Sequence, residues 1–233
     1  TSILKQLSLH ICIACPPWIR LPRVVRDIPY QYISAGLKCG NIRQEIENHS
    51  SFHAKDIRSR EIGRHPEYDL KDAELVVREY IATNGVEYFI SMETKDRKAI
   101  FGFCRLRLYD NDIKQFTPDE DTIIFKDTLR NKGLIRELHV YGSLVSILNK
   151  IVKNENHFQH SGIGKKLIKK AEEICKFYSY DGVVIISGIG VRDYYEKKLG
   201  YHLENHYMVK EFKEHKYNLL FTLIVFIILY IIV

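Results

Sequence analysis

The stretch Phe158-Gln159-His160-Ser161-Gly162-Ile163-Gly164-Lys165 constrains this chain more than any other, because a glycine-rich turn there opens an amphipathic helix. Beyond Gly164 the apolar residues Leu167, Ile168, Ala171, Ile174, Cys175 and Tyr178 recur with the 3.6-residue period of a helix buried on one side. A Gln-x-x-Gly-x-Gly turn at such a start leaves the first-turn N–H groups unpaired, with the positive end of the helix dipole facing outward. Glycine lets the backbone come close to a bulky anion. The turn therefore suits a diphosphate held near Ile163, Gly164 and Lys165, although glycine pairs also close ordinary loops.

A chain of 233 residues has room for one large domain or two modest ones. With 45% hydrophobic and 27% charged residues, most of it should bury a core. The net charge of +6 permits contact with nucleic acid or an anionic membrane and demonstrates neither. Cys12 and Cys15 form a C-x-x-C pair, but a structural zinc needs four ligands and no second close pair exists, so the cysteines read as small hydrophobes. The chain starts at Thr1 without a signal-peptide pattern, which reads as a fragment whose upstream part is absent.

From Leu219 to Val233 the sequence is apolar on every side, with only Thr222 and Tyr230 as polar breaks. As a helix it is roughly 22 Å long, which reaches across a thinned bilayer once Tyr217 and Asn218 sit at the interface. Lys210, Lys213 and Lys216 precede it as on a cytosolic flank. A tail anchor over 217–233 is expected, facing the cytosol from the mitochondrial outer membrane or the endoplasmic reticulum.

Between these landmarks, Pro16, Pro17, Pro22 and Pro29 argue against long helices in residues 1–50. Residues 51–71 read as a linker, with a strand-like alternation from Asp56 to Ile62. Strands are expected at Leu75 to Ile81, Glu87 to Met92 and Ala99 to Leu108, the first two joined by an Asn84-Gly85 hairpin turn. A strand at Leu134 to Tyr141 precedes the helix, and Val183 to Ile186 makes a buried strand after it. The turn Ser187-Gly188-Ile189-Gly190 leads to a short helix over Val191 to Lys198, and closing strands run from Tyr201 to Phe212.

This order of strand, Gln-x-x-Gly-x-Gly, helix, strand, Tyr-Tyr helix and Gly-Tyr strand resembles the GNAT acyltransferases. That resemblance implies an α/β fold whose mixed sheet splays open to take acetyl-CoA. Glu137-Leu138-His139-Val140-Tyr141-Gly142, Phe158-Gln159-His160, Ile185-Ile186-Ser187-Gly188-Ile189-Gly190, Tyr194-Tyr195 and Tyr207-Met208-Val209-Lys210 narrow it. They are similar to the C-terminal part of the Elongator catalytic-subunit family. Pro16-Pro17-Trp18, Arg26-Asp27-Ile28-Pro29, Ser34-Ala35-Gly36 and Arg58-Ser59-Arg60-Glu61-Ile62-Gly63 extend the likeness upstream.

The resemblance implies the end of a radical-SAM domain in residues 1–50, the linker in 51–71 and a GNAT acetyltransferase domain in 72–212. It implies an acetyl-CoA-dependent acyltransferase of Elongator type that forms a carboxymethyl group at carbon 5 of the tRNA wobble uridine. S-adenosylmethionine and an iron–sulfur cluster would belong to the absent upstream domain. Glu137, Leu138, His139 and Val140 would meet the thioester end, and Gln159, Gly162, Ile163, Gly164 and Lys165 the diphosphate. Tyr195 resembles the family's acyl-CoA-contacting tyrosine and would be catalytic, with Tyr194 and Glu137 as the further catalytic candidates. The linker has histidines but no cysteine, so no metal is expected. Arg20, Arg23, Arg26, Arg43, Arg58 and Arg60 would track tRNA phosphates, while other Elongator subunits and the membrane are the further partners. Two other readings stand beside this one: a protein lysine acetyltransferase acting on histone or tubulin, and a catalytically silent docking platform. The segment between Gly142 and Phe158 departs from the family's proline-rich, Arg-Asp-containing loop, and the apolar tail is an addition.

Overall fold

The computed structural model describes residues 2–22, 29–35, 42–48, 54–109, 128–141 and 162–212. Gln159, Arg23, Arg26 and the tail expected over 217–233 lie outside the described residues. Among the described residues no helix is long and apolar enough to cross a membrane.

A seven-stranded mixed sheet organises the fold, in the order β1-β2-β3-β4-β5-β7-β6. Its strands are β1 (Ala73–Ala82), β2 (Gly85–Thr94), β3 (Ile100–Tyr109), β4 (Lys132–Val140), β5 (Gly182–Ile185), β6 (His202–Glu204) and β7 (Tyr207–Glu211). The Asn84-Gly85 turn joins β1 to β2 as expected, with Asn84 at φ 59°. A side chain at Gly85 would run into the Leu108 carbonyl, so the turn has no room for one. β4 and β5 are parallel, and the chain returns between them through the helix Ile163–Phe177.

The described residues group into two compact units. One holds those up to Glu79 together with Tyr88–Arg105 and Leu138–Ile168; the other holds Tyr80–Glu87, Leu106–Glu137 and those from Lys169 on. In the first unit, α1 (Ser2–Ala14) packs on α2 (Ile42–Glu47) and ends just before Pro16-Pro17. The prolines thus terminate a thirteen-residue helix where the sequence had argued against a long one. Cys12 and Cys15 are buried free thiols, and burial pushes both thiol pKa values up, as suits inert packing residues.

The strand-like stretch 56–62 is also corrected. Asp56 caps α3 (Ile57–Arg60) by accepting the Arg58 N–H at 3.0 Å, and a 3₁₀ turn over Ile62–Arg64 follows. A strong N-cap wins over alternation here. A single parallel bridge from Glu61 to Ile100 is what remains of strand pairing.

In the second unit the parallel ladder runs from Lys132–Gly182 to Ile135–Ile185, and β5 pairs antiparallel with β7 across Gly182–Glu211 to Ile185–Met208. Leu134, Val184 and Val209 form one buried apolar cluster of its core. The later turns of Ile163–Phe177, called α4 below, press Cys175 onto Gly133, where an added Cβ would sit 2.3 Å from the sulfur. Burial, then the charge of Glu172, pushes the Cys175 pKa up to about 12.

Candidate functional site

α4 begins with the geometry its sequence requires. Gly162 has φ +78°, and its carbonyl accepts the Lys166 N–H at 3.0 Å, closing the first helical bond. The N–H groups of Ile163, Gly164 and Lys165 stand ahead of that bond. Ile163 anchors the turn in the core, while Gly164 is half-buried and Lys165 and Lys166 are exposed. Among the described residues nothing lies within 4 Å of where a Gly162 Cβ would be, so they leave the space over the turn open.

The end of β4 meets this helix start across Gly102 of β3. A Cβ on Gly102 would lie 2.8 Å from the His139 carbonyl, 3.2 Å from Val140 Cα and 3.3 Å from Ile163 Cγ2. A glycine inside a strand signals such close backbone approach, and this one was passed over in the sequence. Leu138 and Val140 are half-buried, and His139 is exposed. The His139 ring stacks on Phe103 at 5.8 Å and meets Tyr141 edge-on at 4.4 Å. Tyr141 donates its N–H to the Phe101 carbonyl and its hydroxyl to Glu61.

In the second unit β5 leaves β4 after one last bond, Ile186 N–H to the Ile135 carbonyl at 3.0 Å. β4 itself continues through Arg136 and the exposed Glu137 to Val140. Arg136 does not turn to Glu137; it reaches Glu87 at 2.7 Å. The two neighbouring tyrosines lie on α5 (Arg192–Leu199) and differ sharply, Tyr195 being 5% exposed and Tyr194 39%. Tyr195 meets Tyr194 and Tyr201 edge-on at 5.4 and 6.1 Å. Burial raises the Tyr194 phenol pKa. The Tyr201 hydroxyl donates to Glu172 at 2.8 Å, and Lys210 reaches the same oxygen at 3.0 Å.

Of the six arginines named for phosphate tracking, the four among the described residues, Arg20, Arg43, Arg58 and Arg60, each pair with an acidic side chain of the chain itself. Arg60 is 3% exposed, donates to the Lys55 and Pro17 carbonyls at 2.7 Å, and pairs with Glu93 at 3.0 Å. Arg43 donates to Asp56, Ser59 and Glu47. These two are therefore struts and not surface cations, which corrects their expected role. Arg20 and Arg58 both hold Glu61 and keep more of their side chains in solvent.

The same plan recurs three times, a buried glutamate between two arginines: Glu61 with Arg20 and Arg58, Glu87 with Arg107 and Arg136, and Glu93 with Arg60 and Arg78. For Glu93, burial pushes the pKa up. Hydrogen bonds from Arg78 and Ser91 and the nearby Arg60 charge outweigh it together, so the carboxyl lies below its ordinary value.

No protein-family model matches the chain. Elongator complex protein 3 of Bos taurus is 36% identical over 216 residues, which is 90% of this chain and 37% of the relative. The Saccharomyces cerevisiae protein of that name is 35% identical over 217 residues, with the same coverage of both. This chain is homologous to a part of Elongator complex protein 3. The Homo sapiens Elongator complex protein 3 agrees, at 36% identity over 219 residues, 91% of this chain and 38% of that protein. Among solved structures, the archaeal Methanocaldococcus infernus Elp3 with an N-terminal deletion superposes with a TM-score of 0.70 at 30% identity. It covers 89% of this chain and 48% of that one. The chain spans little more than a third of the length of the curated Elongator complex protein 3 relatives it matches.

Proposed function

We propose that the chain is the acyltransferase part of an Elongator-type subunit, with acetyl-CoA as its donor. The reading extends to a carboxymethyl-type group built at carbon 5 of the wobble uridine of tRNA. The observation that carries it is the convergence of the α4 start and the β4 end over Gly102, with open space above Gly162. The homology to Elongator complex protein 3 supports it.

A bulky anion fits the residues present. The N–H groups of Ile163, Gly164 and Lys165, the helix dipole and the exposed Lys165 and Lys166 would hold the donor's diphosphate. Acetyl-CoA when bound supplies a thioester, an acyl carbon activated for transfer. Main-chain groups of Leu138, His139 and Val140 would orient its amide-bearing arm. Tyr195 takes the role of a phenol that protonates the leaving thiolate or donates to the carbonyl oxygen. Glu137 serves as base or water positioner. The S-adenosylmethionine and iron–sulfur chemistry is assigned to residues outside this chain. Among the described residues no group of three His, Cys, Asp or Glu side chains is placed to hold a metal ion. Other Elongator subunits are proposed partners, and the apolar tail is proposed to tether the protein to a membrane.

Acetyl-CoA turnover by the chain, measured alone, with tRNA and with a lysine peptide, tests the reading. Turnover that rises with tRNA and ignores the peptide is the expected result. Turnover indifferent to tRNA but passed on to the peptide lysine would replace it with protein acetylation.

A further inference from the structure

The turn from Ser187 to Arg192 carries three features that nothing within the described residues accounts for. First, Ser187 Oγ and Arg192 Nε are both shut off from solvent, and neither has a hydrogen-bond partner among the described residues. Buried polar atoms are nearly always satisfied, so two orphans bracketing one turn need a cause. Two other arginines with an orphaned nitrogen, Arg60 and Arg107, already hold Glu93 and Glu87 through their guanidiniums. Arg192 has no such carboxylate among the described residues.

Second, Gly188 and Gly190 lack any internal reason to be glycine. Gly188 has φ −65° and ψ 150°, which any residue adopts, and Gly190 has no positive φ. No atom of the described residues lies within 4 Å of a Cβ built on either. A bare backbone with open space above it is what close approach of an outside group requires. Third, Ile186, Ile189 and Val191 are exposed around the same turn, an apolar lip on an otherwise polar feature.

A guanidinium N–H, a serine hydroxyl and unobstructed backbone are the donor set that phosphate groups take. We infer that the Ser187–Arg192 turn is a phosphate-binding subsite, with Arg192 and Ser187 as its donors and Gly188 and Gly190 as its floor. Arg192 and Tyr195 stand three apart on α5, so they share a helix face, and the phosphate belongs to a ligand that also reaches the tyrosine. The inference rests on the acyltransferase reading only for the role of Tyr195. The source that fits both residues is a phosphodiester of a nucleic-acid acceptor, because the ribose phosphate of coenzyme A lies at the far end of that molecule from the thiolate that Tyr195 would protonate. The coenzyme's phosphate offers the same chemistry and is the contrasting outcome of the test.

Binding to the whole chain is measured by calorimetry for four probes: coenzyme A, its form lacking the ribose 3′-phosphate, a short single-stranded RNA, and the same RNA with neutral methylphosphonate linkages. In R192Q and S187A, either coenzyme A or the RNA is expected to weaken about tenfold, while its counterpart lacking the 3′-phosphate or the charged linkages is unchanged. Loss confined to coenzyme A assigns the donor's phosphate, and loss confined to the RNA assigns the acceptor's. G188A has room for its methyl group, so it should keep the wild-type unfolding temperature yet weaken the same probe, which decides the matter even if R192Q fails to fold. Equal weakening of both members of each pair, or no weakening of any probe, overturns the subsite. If the wild-type chain binds neither coenzyme form, the donor reading fails and the RNA pair alone decides the subsite. No binding of either phosphate-bearing probe overturns it.

Discussion

Tyr141 and Glu61 stand eighty residues apart in sequence, and the tyrosine hydroxyl donates to Glu61 Oε1 at 3.3 Å, an oxygen that Arg20 also holds at 2.8 Å. The residue that follows β4 is thus tied directly to the arginine-rich segment around α3. Burial, then the Glu61 charge, raises the Tyr141 pKa and keeps the phenol a donor at neutral pH.

Glu61→Gln keeps the shape but weakens three donors' partner at once. A loss of roughly 1–3 kcal/mol in urea unfolding is expected, with Tyr141→Phe costing about 1 kcal/mol. The two losses should add to less than their sum in the double variant, because they share one hydrogen bond.

Glu93 sets an acid limit on stability. Its folded pKa is depressed, so the folded state binds its proton less tightly than the unfolded one. The stabilisation is in full force above the unfolded value of about 4.3 and is lost as pH falls through the folded value. Glu93→Gln leaves Arg60 and Arg78 without their buried partner and should cost roughly 3–5 kcal/mol at pH 7. Thermal unfolding of both proteins from pH 7 down to pH 3 should show the gap closing toward the acid end.

Gly102 and Gly162 fail for different reasons when changed to alanine. At Gly102 the methyl group meets the His139 carbonyl, and overpacking should cost about 1–3 kcal/mol and weaken acetyl-CoA binding by moving the β4 end. At Gly162 there is space, but φ +78° disfavours any Cβ by roughly 1–2 kcal/mol. Calorimetric binding together with unfolding temperature separates the two.

Tyr195→Phe should reduce acetyl transfer about 100-fold or more with donor affinity kept, as for loss of a general acid. Tyr194→Phe, on the more exposed neighbour, should stay near wild type. A reversed order in single-turnover rates would give the chemistry to Tyr194.

Removing residues 217–233 should release the chain from phosphatidylcholine vesicles in a flotation assay. Equal flotation with and without them would end the tail-anchor proposal.

Local signals with local causes were legible in the sequence. The Asn84-Gly85 hairpin, the period of α4 and the strand before it all depend on neighbours in the chain, and the structure has them where expected. The stretch at 56–62 was misread because two apolar residues suggested alternation while the Asp56 cap, a hydrogen bond two residues long, decided the conformation. Arg43 and Arg60 were misread for the opposite reason. Their partners Asp56 and Glu93 lie 13 and 33 positions away by residue number, beyond what spacing reveals. The difference between Tyr194 and Tyr195 is likewise a matter of packing against Tyr201.

The three glutamates clasped by paired arginines have a further consequence for how this chain carries its charge. Six guanidiniums face three carboxylates, so each clasp keeps one positive charge in surplus, anchored within the fold. Arg60, Arg78 and Arg107 are therefore spent as mortar within the fold, while Arg20, Arg58 and Arg136 stay partly in solvent with their charge already answered by a glutamate. A polyanion approaching this protein meets fewer cations than the sequence advertises, and its binding should fade with added salt more gently than a count of arginines implies.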